Sequence, residues 1–473
     1  MKTIVWFRQD LRLADNPALN WAAERGDVVP VYVLDDDTPP PALRMGAASR
    51  WWLYHSLAAL NASLGGKLVF RRGKAADVIP ALAAEVGADA VAFNRAYEEW
   101  NIKGDKALKE ALGKAGVTVE SFNGALLFEP WEIKTKMGGD YKVFTPFWAE
   151  CERRLPTANI QPTEAPKLNL LGVMGDSLDS LHLLPPKPWA DGWLELWTPG
   201  EAGAEARLDE FLATGLSNYA NGRNVPNAEA TTRLSAHLHF GEISPRQVFA
   251  ALAGQSLIKG GGHNVDTLKR ELGWREFCNH LIYTFPKMAI QNWREEFNHY
   301  PWQADEEGYD LWQKGQTGYP LVDAGMRELW ATGYMHNRVR MVAASFLIKH
   351  LRIDWRNGEK WFWDTLVDAD LANNACGWQW VAGSGADAAP YFRIFNPVEQ
   401  GKKFDPDGAY VRKWCPELKD LPDAFIHAPW TAPEHILRQA GVKLGDSYPG
   451  PLVDHQQARE AALHGYRKIA RQH

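Results

Sequence analysis

The sequence predicts an α/β domain with a five-stranded, parallel, doubly wound sheet, followed by a long connector and a large all-α domain. From Thr3 to about Gly124, short β-rich runs alternate with helical stretches. Pro, Gly and polar residues then dominate up to about Glu201, so we expect a surface connector without sheet strands. Beyond Ala204 segments of helical period follow one another. The predicted boundaries are 1–130 for the α/β domain, 131–200 for the connector and 201–473 for the helical domain.

The α/β domain is predicted element by element from its alternating runs. The strand candidates are 3–7, 28–34, 67–71, 90–93 and 118–122. The helix candidates between them are 16–25, 49–64, 74–86 and 103–115. Asp15 and Ser49 are placed to cap the first two helices. A dinucleotide-binding sheet would carry GxGxxG after its first strand, but WFRQDLRLADNP stands there, so that fingerprint is absent and a purely structural domain stays open.

Composition narrows the class of protein. The 473 residues, 45% hydrophobic and 23% charged, are those of an ordinary globular protein. Four cysteines without CxxC spacing indicate a reducing compartment and argue against zinc. No signal peptide or run of eighteen apolar residues is present, so we expect a cytoplasmic protein that does not contact membranes. A net charge of −6 still allows one basic patch on an acidic body.

Three helical-domain segments have candidate chemistry. Residues 231–235, TTRLS, offer hydroxyls and an arginine that suit phosphate, although helix capping explains the hydroxyls equally well. In 271–277, ELGWREF, an acid, an indole and an arginine share one helical face, for which an amphipathic surface is the ordinary explanation. In 335–341, MHNRVRM, Asn337, Arg340 and Met341 share one face while Arg338 points elsewhere, so two faces could serve two partners.

Charge and polarity single out two later stretches. Between Arg338 and Lys360, six basic residues meet two acidic ones, an excess that suits phosphate backbones or a solvated basic helix. Residues 368–380, DADLANNACGWQW, place acids and amides where a core helix would carry aliphatic side chains. No third carboxylate or histidine follows Asp368 and Asp370 at ligand spacing, so hydrogen bonding to a heterocyclic cofactor ranks above metal binding.

Several long motifs together resemble the photolyase/cryptochrome family, from residue 6 to the C-terminal region. Within that family, 48–60, 121–133 and 426–437 are similar to the branch of bacterial photolyases closest to plant cryptochromes, known as class III. The motifs that carry the family resemblance are WFRQDLRLADNPAL (6–19), GYPLVDAGMRELWATGYMHNRVRM (318–341), DWRNGEKWFWDTLVDADLANNACGWQW (354–380) and FRIFNPVEQGKKFDPDGAYVRKW (392–414).

The resemblance implies a non-covalent, folded-back FAD in the helical domain, reduced in the active form. Tyr219 and residues 231–235 would hold its phosphates and ribityl region, and the 368–370 acids its isoalloxazine edge and ribose. An Arg340 to Asp368 salt bridge would brace the flavin. The cofactor-binding residues implied are Tyr219, Thr231, Thr232, Arg233, Leu234, Ser235, Arg275, Arg340, Asp368, Asp370 and Asn374.

Asn374 would face the flavin N5 atom. Plant cryptochromes resemble this region but carry Asp there, and a carboxyl can donate a proton to a flavin radical anion whereas an amide cannot readily do so. The amide therefore favours repair over signalling. A blue-light photoreceptor of the cryptochrome type, which signals through a partner, is the alternative.

The resemblance implies that the substrate is a cyclobutane pyrimidine dimer flipped out of DNA, as photolyases extrude their target bases. Trp274 and Trp380 would stack on the dimer, Glu271 and Asn337 would hydrogen-bond it, and Met341 would make apolar contact. Members that repair (6-4) photoproducts carry histidines where Asn337 and Met341 stand. The residues expected to grip DNA beside the pocket are Arg338, Arg393, Gln400 and Lys402.

The implied activity is that of a carbon–carbon lyase, a deoxyribodipyrimidine photo-lyase. Excited reduced FAD would donate one electron to the dimer, the two inter-base bonds would split, and the electron would return, so the protein would supply positioning and electrostatics. Trp302, Trp355 and Trp378, three of the 22 tryptophans, fall at spacings that resemble the family's electron-transfer chain to the flavin. We expect a monomer.

The α/β domain would hold an antenna chromophore. The enterobacterial folate pattern has a histidine where Arg44 aligns and an Asn-Glu pair where Trp100 and Asn101 align, so that particular site is not reproduced. Similarity to the class III branch nevertheless favours methenyltetrahydrofolate.

Overall fold

The computed structural model describes residues 1–158, 160–185, 189–255, 261–388 and 392–470. They form two compact units, each assembled from separate stretches of the chain. The first unit comprises Met1–Ser217, Thr232–Pro286 and Val367–Asp370. The second unit comprises Asn218–Thr231, Lys287–Leu366 and Leu371–His473.

The first unit contains a parallel sheet, and its described residues form six strands. In chain order they are β1 (Lys2–Phe7), β2 (Asp27–Leu34), β3 (Val69–Arg72), β4 (Ala90–Asn94), β5 (Thr118–Phe122) and β6 (Asn169–Leu170). The spatial order β3-β2-β1-β4-β5 and the parallel pairings confirm the doubly wound prediction. The interiors of the three central strands, β2, β1 and β4, are runs of buried apolar side chains such as Ile4, Val31 and Phe93, as expected where helices cover both faces of a sheet.

The sixth strand lies in the connector, where we expected none, so that prediction is wrong. β3 has four residues and pairs only with the carboxyl half of the eight-residue β2. The amino half of β2 would therefore leave backbone groups without sheet partners. β6 supplies them, because Asp27 pairs with Asn169 and Val28 with Leu170.

Four helices accompany the first five strands: α1 (Pro17–Ala23), α2 (Ala47–Ser63), α3 (Ala75–Val86) and α4 (Glu99–Lys114). Both predicted caps are wrong. Asn16 caps α1, with its side chain accepting a hydrogen bond from the Leu19 amide, and α2 begins two residues before Ser49. Asp15 instead adopts a left-handed conformation, φ 50°, and accepts hydrogen bonds from Ser244 Oγ (2.5 Å) and Arg246 Nε (2.9 Å).

Residues 8–16 fill the crevice at the carboxyl ends of β1 and β4, the place where doubly wound sheets commonly bind ligands. Asn94, the last residue of β4, donates from Nδ2 to Asp10 Oδ2 (2.6 Å) and Asn16 Oδ1 (2.7 Å). Arg12 is fully buried and donates to three backbone carbonyls, those of Gly241 (2.8 Å), Asp15 (2.7 Å) and Gly124 (2.7 Å). Burial lowers the Arg12 pKa to about 10, with Asp15 and Asp10 opposing that shift.

The connector, which the composition predicted to lie over the surface, also contains a helix, α5 (Phe144–Arg154). Phe144, Phe147, Trp148 and Cys151 are buried along it. Their spacing of three and four residues is that of one helical face, so α5 packs as an amphipathic helix. The connector is thus part of the core of the first unit.

The remaining chain is helical, which confirms the prediction of an all-α second part. The helices are α6 (Glu201–Glu210), α7 (Tyr219–Gly222), α8 (Ser235–His239), α9 (Pro245–Ala251), α10 (Gly261–Thr284), α11 (Glu306–Gln313), α12 (Pro320–Thr332), α13 (Asn337–Ser345), α14 (Trp355–Thr365), α15 (Leu371–Ala382), α16 (Pro397–Phe404), α17 (Ala409–Trp414), α18 (Glu434–Gln439) and α19 (His455–Ala470). In the described part of the chain, none of them has the length and apolarity needed to cross a bilayer.

Candidate functional site

Residues 232–234 of the first unit lead directly into α8, which begins at Ser235. Arg233 adopts a left-handed backbone conformation with φ 50°, which is uncommon for a residue with a side chain. Thr232 Oγ1 accepts from the Leu234 amide at 3.3 Å, and the Thr232 carbonyl accepts from Arg207 Nε at 3.0 Å. The Arg233 guanidinium lies 5.8 Å from the Trp197 ring centroid. Strained backbone of this kind is concentrated at functional sites.

Helix α8 brings two predicted cofactor groups together in the first unit. Ser235 Oγ donates to Asp368 Oδ2 at 2.6 Å, and His239 Nδ1 lies 3.4 Å from Asp370 Oδ2. Residues 367–370 therefore pack against α8, although they lie more than 120 residues away in the chain. The hydroxyl and the two carboxylates predicted to hold one cofactor are thus neighbours. His239 was not predicted and, at the end of so short a helix, had no local signal.

The buried carboxylate of Glu242 binds α8 through His237. Glu242 is fully buried and accepts hydrogen bonds from Trp52 Nε1 (3.0 Å) and the Gly200 amide (2.7 Å) through Oε1. Its Oε2 is hydrogen-bonded to His237 Nδ1. Because a fully satisfied buried polar network rigidifies its surroundings, this cluster holds α8 in position through His237.

Asn374 is oriented by a backbone group of the second unit. Its Nδ2 donates to the carbonyl oxygen of Glu359 at 3.1 Å, which joins α15 to α14. The amide oxygen Oδ1 is therefore the atom available to accept a hydrogen bond from a ligand. Glu359 itself is buried, and burial raises its pKa to about 8, with Arg356 opposing the shift. The sequence showed Glu359 only as an acid in a basic stretch, so its burial beside Asn374 was missed.

Stability should depend on pH through Glu359. The unfolded chain releases this proton near pH 4.5, whereas the folded chain keeps it up to about pH 8. The proton therefore favours folding: its contribution is complete below pH 4.5 and is lost as pH rises to about 8. We expect the melting temperature of Glu359→Gln to fall less between pH 5 and 8 than that of the FAD-loaded wild type. Glu399→Gln, at an exposed site, is the control. If the melting temperatures of Glu359→Gln and wild type fall equally between pH 5 and 8, the assignment is refuted.

The three indoles of the predicted electron chain lie in the second unit. Trp378 is buried, with ring centroids of Phe362 at 4.9 Å and Trp312 at 6.3 Å, and Gly358 leaves room for its six-membered ring. Trp355 is fully buried and donates from Nε1 to Asn292 Oδ1 at 2.8 Å. The ring centroids of Trp302 and Tyr300 lie 4.5 Å apart. Within the ranges that the structure describes, no direct ring contact joins two of these three indoles, so their order as a chain stays a prediction.

Helix α10 of the first unit presents Glu271, Trp274 and Arg275 from adjacent turns. Trp274 is half-buried and stacks on Phe144. Arg275 donates from Nη1 to the Ala125 carbonyl (2.8 Å) and from Nη2 to the Leu238 carbonyl (3.5 Å). The guanidinium thus ties α10 to two other segments of its unit, and its predicted contact with the cofactor stays a prediction.

Glu276, which follows Arg275 on α10, is a buried acid that the sequence analysis did not predict. Glu276 accepts hydrogen bonds from the amides of Leu127 (2.9 Å) and Phe128 (3.4 Å). Burial raises its pKa to about 7, and the neighbouring Arg275 opposes this shift. α10 is therefore anchored through two consecutive side chains, which fixes the direction in which Trp274 projects.

Helix α13 of the second unit begins at the exposed Asn337. Arg338 donates to Asn224 Oδ1 (2.5 Å), approaches Met341 Sδ (3.7 Å) and lies 4.5 Å from the Phe404 ring centroid. The prediction that Arg338 points away from the Met341 face is therefore wrong, because its long side chain folds along the helix towards position i+3. Arg340 donates from Nε to the Met335 carbonyl at 2.6 Å.

The other predicted residues of the second unit are placed as follows. Lys402, on α16 with Gln400, forms an exposed ion pair with Glu399 at 2.9 Å. Arg393 is exposed and its guanidinium lies over Phe395 at 4.9 Å. Tyr219 is buried, and Trp380 is half-buried on α15. In the described part of the chain, no group of three His, Cys, Asp or Glu side chains could hold a metal ion.

Comparisons with known proteins relate the chain to photolyases and cryptochromes. Two family models match: DNA photolyase over residues 3–167, and the FAD binding domain of DNA photolyase over residues 267–468. A deoxyribodipyrimidine photo-lyase of Agrobacterium fabrum is 50% identical over 98% of each chain. Cryptochrome-2 of Arabidopsis thaliana is 39% identical over 97% of this chain and 78% of its own. The crystal structure of a class III photolyase from Agrobacterium tumefaciens superimposes with a TM-score of 0.94 at 49% identity, covering 99% of this chain and 98% of that one.

A doubly wound α/β sheet combined with a helical flavin-binding domain defines a class of light-dependent flavoproteins. The chain belongs to the photolyase/cryptochrome family, and it is similar to the class III photolyases. The family and the fold class expected from the sequence are both confirmed.

Proposed function

We propose that this chain is a deoxyribodipyrimidine photo-lyase, which repairs cyclobutane pyrimidine dimers in DNA with blue light. The observation that carries the proposal is the amide at position 374, whose Nδ2 donates to the Glu359 carbonyl and so leaves Oδ1 as the atom that can accept a hydrogen bond from the cofactor. An amide holds a hydrogen bond at the flavin N5 without supplying a proton. A carboxyl at this position could instead protonate a flavin radical anion, so the amide favours repair over signalling.

FAD, when bound and reduced, supplies the one-electron chemistry of the reaction. The polar groups of the candidate site suit FAD. The hydroxyls and guanidinium of 231–235 suit its phosphates, and the carboxylates of Asp368 and Asp370, next to Ser235 and His239, suit N–H and hydroxyl donors. We assign Tyr219, Arg275, Arg340 and an Arg340 to Asp368 ion pair to the same cofactor.

The lesion is recognised as an extruded pair of linked bases. Trp274 and Trp380 form the stacking surfaces in this proposal, Glu271 and Asn337 hydrogen-bond the pyrimidine edges, and Met341 makes apolar contact. A damaged pair stacks poorly in the duplex and costs less to extrude, while each aromatic contact returns about 1–3 kcal/mol. The cations and amide proposed to hold the flanking DNA are Arg338, Arg393, Gln400 and Lys402.

Methenyltetrahydrofolate is our proposal for the antenna, on the similarity to the class III branch. Absorption spectra of the chromophores released by denaturation test it. Division into residues 1–130, 131–200 and 201–473, a cytoplasmic location and a monomeric state stay predictions. Gel filtration of the FAD-loaded protein tests the last of these.

Cryptochrome-type signalling is the second candidate, favoured by the 39% identity to an Arabidopsis cryptochrome. The deciding experiment incubates purified reduced protein with dimer-containing DNA under blue light and measures loss of dimers. The same mixture kept dark, and undamaged DNA, are the controls. Protein that is loaded with FAD but removes no dimers in the light would contradict the repair proposal and leave signalling.

Replacing Asn374 with aspartate should speed proton uptake by the flavin several-fold during photoreduction near neutral pH. The carboxyl can donate a proton to the N5 atom of a flavin radical anion, which the amide cannot readily do. The measurement is the rate of the flavin absorbance change that follows a blue flash on oxidised protein at equal FAD content. Asn373→Asp, at the adjacent position, is the matched control. Equal rates for Asn374→Asp and wild type would contradict the role given to the amide.

A further inference from the structure

The ring of Phe144 lies flat on the indole of Trp274. Their centroids are 3.8 Å apart and their planes differ by 10°. Phe144 is only 1% exposed, whereas Trp274 is half-buried. One face of the indole is therefore covered by protein, and Phe144 is too deeply buried to contact DNA itself.

The packing of α5 on α10 fixes this contact. Phe144 is the first residue of α5, and Trp148, one turn later, lies against Gly273 of α10. A Cβ atom at position 273 would lie 2.5 Å from Trp148 Cε3, so the two helices approach this closely only because that residue is glycine. Gly273 immediately precedes Trp274, so the close approach sets the position of the indole relative to α5.

Neighbouring side chains hold both rings in place. Phe277 packs edge-on against each of them, with centroids 5.9 Å from Phe144 at 68° and 5.9 Å from Trp274 at 72°. The guanidinium of Arg270, one turn before Trp274 on α10, lies 5.4 Å from the Phe144 centroid. Aromatic rings prefer offset or edge-to-face contacts to a face-to-face arrangement. The surrounding packing, rather than the intrinsic preference of the two rings, therefore maintains the flat contact.

A flat contact of this kind has a consequence for binding. An indole free to rotate must be ordered when a base stacks on it, and that ordering opposes binding. An indole already clamped in its plane does not incur this cost.

From this geometry we infer that Phe144 is a positioning residue that fixes the plane of Trp274 for stacking on the flipped-out pyrimidine dimer. The inference rests on the proposed function, because it takes Trp274 as a wall of the lesion pocket. It adds to that function a residue of the connector, outside the segments that carry the family motifs.

The test is Phe144→Met, which keeps most of the buried volume but removes the flat ring. Binding of dimer-containing DNA in the dark should weaken about threefold to tenfold, the range of an aromatic pair contact. Binding of undamaged DNA, which does not place a dimer against Trp274, should stay unchanged. Fluorescence of 2-aminopurine opposite the dimer should show less base flipping.

Phe147→Met is the matched control. Phe147 is also buried on α5 and contacts Phe277 at 5.2 Å, but its aromatic contacts do not include Trp274. It should leave the affinity ratio between damaged and undamaged DNA as in wild type. In a Trp274→Leu background, Phe144→Met should cause no further loss, because its effect passes through the indole.

Two outcomes separate the inference from the function on which it rests. If Phe144→Met leaves the ratio of affinities for damaged and undamaged DNA unchanged, even through equal loss for both DNAs, the inference is overturned. If Trp274→Leu itself leaves the ratio unchanged, the proposed role of Trp274 fails first. If Phe144→Met does not fold with FAD, Phe144→Leu is measured in the same way and is judged by the same ratio.

Discussion

Trp378→Phe is expected to abolish photoreduction of oxidised FAD while leaving dimer repair by chemically reduced protein nearly intact. Indole is oxidised more easily than most side chains and phenylalanine much less easily, so the substitution interrupts a chain of indoles at one member. Trp378 is only 3% exposed, and the smaller ring fits among Phe362, Trp312 and Gly358 without overpacking. The measurement is the bleaching of oxidised flavin absorbance under blue light with an external reductant.

Trp312→Phe is the matched control for that experiment. Trp312 is also fully buried and lies 6.3 Å from Trp378, but it is outside the predicted set of Trp302, Trp355 and Trp378. It should photoreduce like wild type. Unchanged photoreduction in Trp378→Phe would refute the assignment of this indole, and loss in Trp312→Phe alone would place the electron path through that residue instead.

Arg12→Met is expected to lower the free energy of unfolding by about 3–5 kcal/mol, because it breaks a buried charged network. The substitution leaves the carbonyls of Gly241, Asp15 and Gly124 without their shared donor. It also removes the cation that faces the buried carboxylates of Asp10 and Asp15. The measurement is the urea midpoint followed by circular dichroism on the full chain.

The control is Arg25→Met, at the end of α1. Arg25 donates to the Trp21 carbonyl and pairs with Glu24 at 3.3 Å, but more than a third of its side chain is exposed. Exposed pairs contribute about 0–1 kcal/mol, so its midpoint should stay close to that of wild type. Similar midpoints for Arg12→Met and Arg25→Met would contradict the role given to the buried network.

The local sequence pattern was sufficient to predict the strands of the sheet but not the contacts made by its loops. The five longer strands begin and end within two residues of their predicted limits, because short runs rich in β-branched and aromatic residues can be recognised within the strand itself. Asp15 was misjudged as a cap since its partners Ser244 and Arg246 lie 229 and 231 residues away. Such tertiary contacts leave no mark in the neighbouring sequence.

The connector contains a helical pattern of apolar residues that the composition of the whole segment obscured. Phe144, Phe147, Trp148 and Cys151 follow helical spacing, yet the surrounding Pro, Gly and polar composition led to the prediction of a connector lying over the surface. Glu359 is different in kind, because nothing in its neighbourhood distinguishes a buried acid from an exposed one. Sequence motifs could therefore suggest the residues of the candidate site, but not the buried residues that pack against them.

Strand β6 has a practical consequence for the isolation of the α/β domain. A fragment that ends at residue 130, or at residue 167, lacks Asn169, Leu170 and the Leu171 amide that donates to the Val28 carbonyl at 2.9 Å. The amino half of β2 would then be an open edge, to which a second copy of the fragment can add a strand. Such fragments should aggregate during purification, whereas a fragment that extends beyond Leu171 keeps this edge paired.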